Sequence, residues 1–123
     1  MLHILVGDKY NIHRIGLVQI VLEAFPDAII DEANDLDTLL SKISSSHCDI
    51  IISGFISPVE KGIDTIQRIK ATAPDASLAI CGLQIQNEDV IHLLNAGATV
   101  FIDKASKAPF IIEQLQNMLA EKR

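Results

Sequence analysis

The sequence predicts an α/β fold: five βα units wound into one doubly wound parallel sheet, a three-layer sandwich with strand order 2-1-3-4-5. Three observations carry this expectation. Short apolar runs alternate five times with longer amphipathic segments, the pattern of successive βαβ crossovers. The run Ile50-Ile51-Ile52 has no polar alternation, so a strand there has helices on both faces. Runs 2–6, 50–53 and 78–81 drop straight into Gly7, Gly54 and Gly82, whereas run 100–102 ends in Asp103 and Lys104.

The elements follow in order. Residues 2–6 form an apolar strand. Residues 11–25 read as a helix, because Leu17, Ile20, Val21 and Ala24 share one face; Pro26-Asp27 ends it. Residues 28–32 form a short strand whose polar end suits a sheet edge. Residues 36–44 form a helix capped by Asp35 or Asn34. Residues 50–53 are the central strand, and 54–61 a loop containing Pro58. A helix over 63–72 is expected from Ile63, Ile66 and Ile69, and Pro74-Asp75 then turns the chain into strand 78–81. Helix 87–96 is expected to take Asn87 as its cap, with Glu88 and Asp89 near its positive end and Gly97 as its stop. After strand 100–102, Ser106 caps helix 107–121, whose first turn tolerates Pro109.

Composition bounds the function. A chain of 123 residues fits one domain spanning 1–123 and buries enough surface to need no metal or disulfide staple. Net charge is −6, and the basic residues form no run longer than Lys122-Arg123. Such a surface opposes a phosphate backbone, so no nucleic-acid binding is expected through this domain itself. No apolar run is long enough for a signal core or a membrane span, and the expected location is cytoplasmic. The mean hydropathy of +0.32 is high for a small domain, which points to apolar surface covered by a partner. Cys48 and Cys81 fall at opposite ends of neighbouring strands, roughly 15 Å apart, too far for a disulfide; both are expected to be buried and inert. His3, His13, His47 and His92 lie on four different elements, so no metal cluster is expected.

In an open sheet of this kind the site lies outside the carboxyl ends of the strands. Three of those ends carry glycine and no functional side chain. Asp8 and Lys104 are the exceptions, expected to pair with each other across the strand ends, since a dehydrated charge needs a partner; gripping a ligand's opposite charges is the alternative.

The ordered set Ile4-Leu-Val-Gly7-Asp8, Cys48-Asp-Ile-Ile-Ile-Ser-Gly54 with Pro58 and Gly62, Asn95-Ala-Gly-Ala98 and Phe101-Ile-Asp-Lys104 resembles the receiver domain of bacterial response regulators. The resemblance covers essentially the whole chain and implies the flavodoxin-like, CheY-like fold. Arg14-Ile-Gly-Leu17 and Lys104-Ala-Ser106 are similar to the LuxR/NarL-type subgroup, whose members often carry a helix-turn-helix output domain; any DNA contact is then expected from a downstream domain outside this chain. The family transfers a phosphoryl group to an aspartate with Mg²⁺. The resemblance puts the acceptor position at Gly54, the lost half of the acidic pair at Gly7, the hydroxyl position at Gly82 and a switch aromatic at Phe101. Asp8 and Lys104 are the retained receiver residues.

It thus implies a degenerate receiver, a pseudo-receiver with no catalytic residue, no cofactor and weak or absent Mg²⁺ binding, acting through a protein partner or a homodimer. The candidate partner surface is Leu83, Ile85, Ile91, His92, Asn95 and Phe101; the wide apolar arc of Ile12, Ile15, Val18 and Leu22 is a second. Ser53 and Ser57 flank the acceptor position and give a displaced phospho-switch as one rival. The other is a small-ligand sensor using room left by the three glycines. No nucleophile–base pair supports an enzyme.

Overall fold

The computed structural model describes residues 1–122. The elements are β1 (His3–Gly7), α1 (Asn11–Ala24), β2 (Ile29–Ala33), α2 (Leu36–Ser45), β3 (Ile50–Ser53), α3 (Val59–Thr72), β4 (Ser77–Gly82), α4 (Asn87–Asn95), β5 (Val100–Asp103) and α5 (Ala108–Lys122). All strands are parallel, in the order β2-β1-β3-β4-β5. The polar β2 is an edge strand, as its composition requires.

Alternation along the strands sorts the core into two layers. Ile4, Val6, Ile50, Ile52, Ala79, Cys81 and Ile102 face α1 and α5, where they meet Leu17, Val21, Ile111, Leu115 and Met118. Leu5, Ile51, Leu78 and Ile80 face the other way, onto Leu39 and Ile43 of α2, Ile66 and Ile69 of α3, and Leu93 of α4. The continuous isoleucine run of β3 is buried on both sides for this reason.

Several local expectations are corrected. Helix α3 begins at Val59, with Pro58 as its N-cap residue, four residues before the isoleucine period becomes readable. Val59 is in phase with Ile63 and Ile66 and packs on the same core layer, but Pro58 before it and Gly62 within this first turn read as loop residues and mask the start. The N-cap of α4 is Gln86, not Asn87, and no side chain caps it. Asp35 does cap α2, its side chain accepting from Thr38 N at 2.7 Å. Cys48 is only partly buried, whereas Cys81 is fully so, and both are free thiols. Gly97 closes α4 with φ of +128°, a backbone angle that side-chain-bearing residues rarely adopt.

Candidate functional site

The parallel register brings Gly7, Gly54, Gly82 and Lys104 to one edge of the sheet. Gly7 pairs with Ser53 and Gly82 with Asp103, Gly54 N donates to Gly7 O at 2.8 Å, and Lys104 N donates to Gly82 O at 2.9 Å. Asp8 follows β1 directly and is 1% exposed. Its Oδ1 accepts from Tyr10 N at 2.9 Å, an Asx turn that leads the chain into α1. Its Oδ2 lies 2.6 Å from Lys104 Nζ. The ammonium approaches that oxygen off the direction of a hydrogen bond, so the contact is an ion pair. Lys104 Nζ also lies 3.1 Å from His13 Nδ1. Arg14 straps the entry of α1 to the sheet: Nη1 donates to Asp8 O at 2.9 Å, and Nε to Glu32 Oε1 at 3.1 Å.

A side chain added at any of the three glycines would meet a neighbour, although Gly54 and Gly82 still line an open cleft above the strand ends. A Cβ at Gly54 would lie 2.6 Å from Asp8 Oδ2: the Asp8 carboxylate leans across Gly54 to reach Lys104. A Cβ at Gly7 would lie 2.8 Å from Leu39 Cδ1 and 3.0 Å from Phe55 Cε2. A Cβ at Gly82 would lie 2.7 Å from Ile85 Cγ1 and 2.8 Å from Ile56 Cδ1. Apolar side chains have thus settled onto two strand ends and a paired carboxylate onto the third. Sequence reading could not anticipate this, because Phe55, Ile56 and Ile85 lie on loops without periodicity.

This donor set does not fit Mg²⁺. Such an ion draws on carboxylate oxygens in near-octahedral array, and both oxygens of Asp8 are already engaged by an ammonium and an amide. Among the described residues no group of three potential metal ligands occurs. Cys81 lies at the base of the site, and burial pushes its thiol up to about 12, so it carries no thiolate at neutral pH.

The remaining candidates divide. Leu83, Ile91, His92 and Asn95 are exposed, but Ile85 is partly buried over Gly82, and Phe101 is half-buried against the core on the α4 side. Ser53 is buried, and its Oγ accepts from Phe55 N at 3.2 Å, so it offers no accessible hydroxyl; Ser57 is exposed. On the second patch, Ile12, Ile15 and Leu22 are exposed while Val18 packs partly against the core. Sequence reading missed Lys9, Tyr10, His13 and Lys61, which line the cleft over the strand ends. The signal available for Tyr10 and His13 was their place just after Asp8, where α1 must begin.

The response regulator receiver domain model matches residues 4–116. The chain is 24% identical over 121 residues to the glycerol metabolism activator of Pseudomonas putida, covering 97% of this chain and 54% of that protein. It is 27% identical over 115 residues to the chemotaxis protein CheY of Thermotoga maritima, covering 94% and 95%. The chain therefore spans about half the length of the first relative and nearly all of the second. A LuxR family DNA-binding response regulator from Silicibacter pomeroyi superposes with a TM-score of 0.81 at 21% identity, covering 98% of this chain and 92% of that one. With the β2-β1-β3-β4-β5 sheet and its carboxyl-edge Asp8 and Lys104, the match over nearly the whole chain establishes that this chain belongs to the response regulator receiver domain family of two-component signalling.

Proposed function

We propose that this receiver domain works without aspartyl phosphorylation, as a non-enzymatic interaction module in the cytoplasm. One observation carries the reading: the position the family uses for the acceptor is Gly54, and the Asp8 carboxylate already lies across it on Lys104. No acyl phosphate can form on a glycine. Lys104, which neutralises transferred charge in the family, has an internal counter-ion here. Gly82 offers no hydroxyl to follow a phosphoryl group, and the buried Ser53 is no substitute. Incubation with acetyl phosphate and Mg²⁺ followed by intact mass measurement tests this. The expected result is an unmodified chain; a stoichiometric phosphoryl adduct overturns the proposal.

Output then runs through surface contact with a second protein. Leu83 and Ile91 are 47% and 56% exposed, with His92 and Asn95 beside Ile91 on α4. An apolar patch rimmed by polar groups has the make-up of a protein interface. Ile91→Asp is expected to leave the thermal unfolding profile unchanged and to abolish retention of the partner in co-purification from the native host. Undiminished retention sinks the assignment of this face. Any DNA binding belongs to an output domain such as those of the longer relatives.

A further inference from the structure

We infer that the cleft over the carboxyl ends of the strands binds a small organic anion with a flat apolar body, non-covalently. The cleft measures about 500 Å³, within the usual range for small-molecule sites, roughly 300–1,000 Å³. Its floor is apolar because Phe55, Ile56 and Ile85 have settled over the glycines. Its walls carry Lys9, Lys61 and Lys104, and among the described residues no aspartate or glutamate lines it. Asp8 lies beneath Lys104 and cancels its charge.

That leaves Lys9 and Lys61, both exposed and neither in an ion pair among the described residues. Two uncompensated ammonium groups thus overlook an apolar floor in a chain of net charge −6. The local sign is opposite to that of the molecule, and it repels a divalent cation. Lys9 Nζ stands 5.0 Å from the centre of the Tyr10 ring, so aromatic surface and positive charge meet at the same rim. An aryl sulfonate, aryl carboxylate or aryl phosphate ester has the matching chemistry: a flat body for the floor and an anionic head for the two lysines.

Naphthalenesulfonate and its neutral sulfonamide are the probes, titrated into the labelled protein and followed by two-dimensional amide NMR. The sulfonate is expected to give saturable shifts centred on Tyr10, Phe55 and Ile85, and to bind at least about fivefold more tightly than the sulfonamide, as two exposed charge contacts provide. Lys9→Gln with Lys61→Gln is expected to weaken the sulfonate by about the same factor. Lys107→Gln, an exposed lysine outside the cleft, is expected to change nothing. Absence of saturation, shifts centred elsewhere or equal affinity for the two probes overturns the inference. If the double variant fails to fold, the sulfonate-to-sulfonamide ratio on the unmodified chain, read at low and high salt, decides alone: it must fall with salt.

Discussion

Asp8, Gly54 and Lys104 form one mechanical unit, and their energetics are coupled. The carboxylate is 1% exposed and the Lys104 side chain 11%, so the pair sits where removing one partner strands the other. Asp8→Asn and Lys104→Met are each expected to cost about 3 kcal/mol or more in urea unfolding, and the double variant is expected to cost less than their sum. Gly54→Ala places a Cβ 2.6 Å from Asp8 Oδ2 and is expected to destabilise by about 1–3 kcal/mol through overpacking. That cost is expected to vanish once Asp8 is replaced by alanine, and a Gly54→Ala penalty that persists there contradicts the coupling. The residue scale is where sequence reading was strongest for identity and weakest for contact. The positions of Asp8 and Lys104 were legible, but Tyr10 N and His13 as their neighbours were not, since only folding brings residue 13 beside residue 104.

At the scale of elements, α2 is held to the edge strand by polar contacts as well as by its apolar face. Lys42 Nζ donates to Asp31 Oδ1 at 2.8 Å and to Glu32 O at 2.7 Å, while Asp35 caps the helix. The Lys42 hydrogen bond holds the Asp31 carboxyl below its ordinary 3.8, and the Thr38 amide does the same for Asp35. A carboxyl depressed in the folded state binds protons more readily when unfolded, so its stabilisation is present above the ordinary value and is lost as pH falls through the folded one. Urea midpoints are therefore expected to drop as pH falls below about 4, and Asp31→Asn to flatten that drop. A midpoint independent of pH across this window, or an unchanged slope in the variant, refutes the assignment. The caps divide the same way as the residues did: Asp35 and Asn34 were both readable as caps and folding selected Asp35, whose side chain accepts from Thr38 N, whereas the start of α3 at Val59 was masked by Pro58 and Gly62.

For the whole molecule, two apolar layers on opposite faces of one sheet set the stability, and the exposed isoleucines stand outside both. Ile52 is 0% exposed in the α1–α5 layer, and Ile12 is 84% exposed on α1. Ile52→Ala is expected to cost about 2–5 kcal/mol, and Ile12→Ala less than about 0.5 kcal/mol, both read from denaturant unfolding. A comparable loss at both positions means that the outer arc of α1 is packed in solution. The same two-layer build explains why Val18 and Phe101, expected at a surface, are partly covered: each lies at the border between a core face and solvent.

The element order, the parallel sheet with its strand order, and the residue types that reach the carboxyl edge were all legible in the chain's spacing. Those follow from local periodicity and from the few crossovers a chain of this length can make. What stands beside the glycines emerged from folding alone. Whether the place of a missing side chain stays open or is covered depends on which loop side chains can reach it, and that is a matter of three-dimensional proximity with no trace in spacing. Here Asp8, Leu39, Phe55, Ile56 and Ile85 reach it, because close packing of apolar atoms and pairing of a buried charge are both more favourable than an uncovered strand end.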